Sequence, residues 1–103
     1  MALDLVILDD HRQWRQYVAI GLEGHAELLK ASREIGLPLI GRLADYYERA
    51  DFCVEELPDL VRELERVLEK SERMSHIASL ADQLRDLVVR AIHETRPVHA
   101  LPD

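Results

Sequence analysis

Between Asp45 and Asp59 the chain gathers six carboxylates, Asp45, Glu48, Asp51, Glu55, Glu56 and Asp59, around two adjacent tyrosines, with Arg42 and Arg49 as the cations beside them. Residues of these types bind rather than react: aromatic rings give rigid contact area, and carboxylates steer a cationic partner toward it. If Leu39–Ala50 is helical, Leu39, Leu43 and Tyr47 recur every four residues on one inward face, and Tyr46 stands about 100° away, toward solvent. The candidate partner surface is then Asp45, Tyr46, Glu48, Asp51, Glu55, Glu56 and Asp59. The competing reading packs both tyrosines into the core and leaves the acids to solubilise the entry of a helix.

Other reactive groups point away from catalysis. The single cysteine, Cys53, has Asp51, Glu55 and Glu56 as neighbours, which disfavour a thiolate, so a small buried apolar side chain is expected there. The five histidines, His11, His25, His76, His93 and His99, do not fall at the short spacings that let two imidazoles share one ion. Four dispersed glycines make no phosphate-binding loop, and no carboxylate sits in an apolar run that would raise its pKa for acid–base work. The expectation is a chain that is not an enzyme and takes no cofactor and no metal.

Charge narrows the partners. Twenty acidic and 13 basic residues give a formal net charge of −7, which the phosphate backbone repels unless a basic patch overrides it. The arginines are scattered among carboxylates, so a basic protein is the expected partner and a nucleic acid is not. No basic residue precedes the short apolar run Leu5–Leu8, and Asp4, Asp9 and Asp10 flank it. That excludes a signal peptide or a membrane span there, and with one cysteine the expected location is the cytoplasm.

These groups must be positioned by a small set of elements. At 103 residues, 48% of them hydrophobic, one core is expected, over 1–96, with 97–103 as a flexible C-terminal tail. Leu3–Leu8 reads as a strand, and Asp9–Gln13 as a polar connector in which aspartates serve the turn. Trp14–Ile20 reads as a second strand of a hairpin by its aromatic and β-branched content, or as a helix with Trp14, Val18 and Leu22 on one face. Four helices follow: His25–Ile35, stopped by Gly36; Leu39–Ala50, weakened by Gly41; Val54–Lys70, with Pro58 in its first turns; and a last helix capped by Ser75 and ended by Pro97. Asp51–Val54 would be extended and could add a third strand. Ion pairs four residues apart are expected on the solvated faces, among them Asp45 with Arg49, Glu69 with Arg73 and Asp86 with Arg90.

The fold class so derived is α+β, an N-terminal β-hairpin packed on four α-helices, the last two an antiparallel helical hairpin, with an all-α fold as the alternative. Leu5-Val6-Ile7-Leu8-Asp9-Asp10-His11 resembles the start of response-regulator receiver domains, over under a quarter of the chain. That resemblance implies a parallel sheet and a magnesium ion held by Asp9 and Asp10. The later pattern departs from it: Glu55-Glu56-Leu57-Pro58 stands where a phosphoacceptor strand should end, and the only lysines are Lys30 and Lys70. In size, charge and element order the chain looks like bacterial immunity-type proteins, an architectural resemblance that implies stoichiometric masking of a basic partner. A homodimer, built on the apolar stripes of Leu57–Leu68 and Ile77–Ile92, is the other alternative.

Overall fold

The computed structural model describes residues 3–73 and 75–102. Met1, Ala2, Met74 and Asp103 lie outside them. The elements run β1 (Leu3–Leu8), β2 (Trp14–Ile20), α1 (Leu22–Ile35), α2 (Pro38–Gly41), β3 (Ala50–Phe52), α3 (Leu57–Lys70), α4 (His76–Glu94) and β4 (Val98–Pro102), with a 3-10 turn at Val54–Glu56 leading into α3. The α+β architecture is therefore as the residue pattern implies, and Trp14–Ile20 is a strand. Its four-stranded sheet has the order β2-β1-β4-β3, and every ladder in it is antiparallel. The parallel sheet implied by the receiver resemblance is absent from it.

Asp9 accounts for the motif that carried that resemblance. Its Oδ1 accepts from the backbone N–H groups of His11 (2.8 Å) and Gln13 (2.9 Å), and Arg12 takes a left-handed φ of 60°. The aspartate is spent on closing the β1–β2 turn.

The largest correction concerns the C-terminus. Val98–Pro102 is not a loose tail; it is strand β4, inserted between β1 and β3. Leu5 faces Ala100 and Val6 faces His99 on one side, while Asp51 faces His99 and Phe52 faces Val98 on the other. Val98 and Ala100 are fully buried, the period-2 signature of a strand with one face on a core. Thr95 ends α4 in the left-handed region (φ 53°), and Pro97 then keeps the chain extended. Arg96 fastens this junction to the hairpin: its Nη1 donates to the Leu8 carbonyl at 3.1 Å and lies 3.2 Å from Asp10.

The helices cover one face of the sheet. The core takes Leu3, Leu5 and Ile7 from β1, Phe52 and Val98 from the far strands, Leu57, Leu60 and Leu64 from α3, and Leu84 and Val88 from α4. α1 stops at Gly36, whose φ of 82° only glycine adopts without strain, and whose N–H returns to the Ser32 carbonyl at 2.8 Å. Ser75 caps α4 by accepting from the Ala78 N–H at 3.2 Å. Among the described residues the three expected ion pairs four residues apart are not made; Arg62 with Asp59 and Arg85 with Asp82 pair at a spacing of three instead.

The expected helix Leu39–Ala50 is one turn long, Pro38–Gly41, and residues 42–49 are turns joined by irregular chain. Glu63 explains the start of this short helix. Its carboxylate, buried inside α3, accepts the N–H groups of Leu39 (3.0 Å) and Ile40 (2.9 Å), two donors that the first turn cannot satisfy itself. Asp45 explains the end. Its Oδ1 accepts from the Tyr47 N–H at 2.8 Å, a local bond that competes with continuing the helix.

Two stability predictions follow from these bonds. Removing residues 98–103 should abolish cooperative folding, seen as loss of the thermal transition by circular dichroism; a truncated chain that melts like the full one would contradict the placement of β4. Glu63→Ala should destabilise the fold by about 3 kcal/mol in urea titration, because two buried N–H groups lose a charged acceptor.

Candidate partner surface

The structure divides the sequence-predicted surface. Tyr46 is buried, 7% exposed, with its hydroxyl donating to the Ile20 carbonyl at 3.1 Å. Its ring meets the buried His25 edge-on at 4.9 Å between centroids. His25 is itself held by the Leu43 carbonyl, which can only accept, so its Nε2 carries the proton. Tyr47 is the exposed one of the pair, at 63%. The helical spacing predicts the reverse, because it sets the two rings about 100° apart around a helix that residues 42–49 do not form. Tyr47 is nonetheless held in place: its N–H is bound by Asp45, and its ring stands perpendicular to that of Tyr46 at 5.4 Å.

The six carboxylates do not act as one acidic patch. Glu56 forms a two-pronged pair with Arg42, with Nη1 donating to Oε1 at 2.8 Å and Nη2 to Oε2. Its Oε1 also accepts from the Cys53 N–H at 3.0 Å. Those bonds, Arg42's first, lower the Glu56 pKa from an ordinary 4.5 to about 2. Asp51 accepts from Arg49 Nε at 3.0 Å and lies 2.6 Å from His99 Nδ1. The hydrogen bond with His99, then that with Arg49, holds the Asp51 pKa below its usual range. Asp59 is paired with Arg62, and Asp45 closes its turn. Glu48 and Glu55 are exposed and have no cationic partner among the described residues.

Cys53 is exposed, not buried as its residue type suggested. Its thiol pKa is pushed up, by the hydrogen bond to Glu56 first, then by desolvation and by Glu55, which keeps it a poor nucleophile.

Sequence reasoning missed a second surface, the sheet face away from the helices. Tyr17, Val6, His99 and Asp51 face one another in a single row across all four strands. Val6 is buried yet belongs to no helix-side cluster, which places it on this opposite face. Trp14 (48% exposed) and Tyr17 (58%) sit at its outer edge with ring centroids 5.4 Å apart. The alternation of β2 could have shown this, since Tyr17 and Ala19 lie out of phase with the inward Val18 and Ile20. A cleft of about 680 Å³ between α1 and the α3–α4 junction carries Lys30, Lys70 and His76, but Glu27, Glu34 and Glu72 line it too, so no single ligand charge is favoured. No group of three His, Cys, Asp or Glu side chains among the described residues is arranged to hold a metal ion, and no helix among them is long and apolar enough to cross a membrane.

The Arg42–Glu56 pair predicts an acid signature. A carboxylate with a lowered folded pKa adds stability that is complete above about pH 4.5 and is lost as pH falls through about 2. Glu56→Gln should therefore flatten the loss of urea midpoint over that window, and an unchanged profile would show that the pair does not form. No protein-family model matches the chain, and neither a curated protein nor a solved structure shows a significant match to it.

Proposed function

We propose that this chain is a non-enzymatic, acidic protein-binding module, working in the cytoplasm, whose partner is a basic protein seated around Tyr47. The observation that supports this reading is Tyr47 itself. An aromatic side chain 63% exposed packs edge-on against the buried ring of Tyr46, on a turn whose backbone the Asp45 bond fixes. Ordering such a ring in advance removes part of the entropic cost of binding, which is what makes aromatic anchors dominate interfaces. Asp45 and Glu48 flank it, and the net charge of −7 draws cations over a longer range. Stoichiometric masking of a basic partner, as in immunity-type proteins, fits a surface with an anchor and no catalytic group.

Purified protein used as bait in a lysate of its source cells should retain one basic protein in equimolar amount, released at about 1 M salt, where screening shortens to about 3 Å. Tyr47→Ala should weaken that complex at least about tenfold with the fold intact, about 1.4 kcal/mol at the anchor. Absence of a basic partner, or a complex unmoved by Tyr47→Ala combined with Glu48→Gln and Glu55→Gln, would overturn the reading.

A further inference from the structure

We infer that two copies of this chain associate through the free edge of β2, pairing antiparallel about a twofold axis so that the sheet continues from one copy into the other. The Tyr46–Tyr47 turn borders this edge at its Ile20 end, where the Tyr46 hydroxyl takes the Ile20 carbonyl and the Tyr47 ring packs on Tyr46.

The two sheet edges are unequal. β3 is three residues long, a short edge of the kind that resists pairing, whereas β2 has seven residues and a single neighbour, β1. A strand in that position carries a row of unused backbone donors and acceptors along its outer side. The Ile20 carbonyl is taken by the Tyr46 hydroxyl, so the open part is Trp14–Ala19. Proteins usually blunt such an edge with proline, inward charge or bulges. Here one irregularity in the ladder, between the Leu8–Trp14 and Ile7–Gln16 pairs, leaves Arg15 out of register, and Gln16-Tyr17-Val18-Ala19-Ile20 contains no charge, no proline and no glycine. An uncharged β-forming run at a bare edge is a liability unless something covers it.

The apolar surface is gathered at the same place. Of the four large hydrophobic side chains that are exposed among the described residues, Trp14 and Tyr17 lie on β2 and Leu22 two residues past its end.

Charge identifies the occupant as a second copy. With a net charge of −7, two molecules repel unless they meet where the carboxylates are missing. From His11 to Leu22 the chain itself has no carboxylate, and Arg15 is paired with Glu94 of α4 at 2.6 Å, so the strand carries little net charge of either sign. A basic partner would gain nothing from that stretch. A twofold axis through β2 also sets the two α4 helices antiparallel beside it. Asp86 and Arg90 line the groove between α4 and β2, and neither is in an ion pair among the described residues. A reversed second copy therefore meets groups of both signs beside the edge, each able to pair with its opposite.

Sedimentation of the full chain over a concentration series should show twice the monomer mass, and the outward-facing amides between Trp14 and Ala19 should exchange more slowly in concentrated than in dilute samples. Tyr17→Lys with Ala19→Lys changes two exposed side chains and sets lysines close together when the twofold axis lies near Tyr17 or Val18, the centre of the uncharged run. It should shift the dimer–monomer midpoint at least about tenfold, with a melting curve unchanged at dilutions where both proteins are monomeric. Should that variant fail to fold, the exchange measurement on the unaltered protein decides alone. A monomer at every concentration, a dimer indifferent to the lysines, β2 amides that exchange freely within a dimer, or protection that appears only with a different protein bound would each overturn the proposal.

Discussion

Everything in this fold hangs on the ladder between β1 and β4, which joins the first described residues to the last. Among the described residues β4 alone joins the hairpin to β3, so without it the sheet falls into a two-stranded ribbon and an isolated three-residue strand. Two strands alone are marginal in water. The core depends on the same ladder, because Phe52 and Val98 are fully buried beside each other at the far side of the sheet, and the helices pack on the surface so completed. The junction before β4 is reinforced accordingly, with Arg96 bound to the Leu8 carbonyl across the sheet end.

A second constraint governs the electrostatics. A chain with 20 acidic residues has many carboxylates to place, and this one puts several where backbone N–H groups lack partners. Glu63 completes the first turn of α2, Glu56 the turn into α3, Asp45 the turn at Tyr47 and Asp9 the hairpin. Carboxylates used in this way hold local geometry instead of advertising charge. The acidic run from Asp45 to Asp59 is therefore weaker as a field than as a sequence, while the ring that the turn at Asp45 fixes in solvent becomes its most distinctive feature.

The two aromatic surfaces differ in kind. Tyr47 stands on a turn beside Glu48, which has no cationic partner among the described residues, whereas Trp14 and Tyr17 stand on a strand that has no carboxylate of its own and whose Arg15 is paired with Glu94. One suits long-range attraction of an opposite charge. The other suits backbone pairing, where charge must be absent for two acidic molecules to meet.

Much of the fold was legible in the residues. The strands β1 and β2, the stop at Gly36, the Ser75 cap and the apolar stripes of α3 and α4 each follow from local signals: β-branched content, a left-handed glycine, a hydroxyl before a helix, a 3.6-residue period. What only the tertiary structure decided concerns segments whose conformation depends on distant partners. Val98–Pro102 has too few residues to declare itself a strand, and becomes one because β1, some 90 residues earlier in the chain, offers a ladder. Residues 42–49 carry a helical spacing of apolar side chains, yet Asp45 and the Arg42–Glu56 pair hold them as turns. With that, the angle separating Tyr46 from Tyr47 was no longer set by helical geometry, and the burial of one and exposure of the other was fixed by the Ile20 carbonyl, a hydrogen-bond acceptor that no local pattern announces.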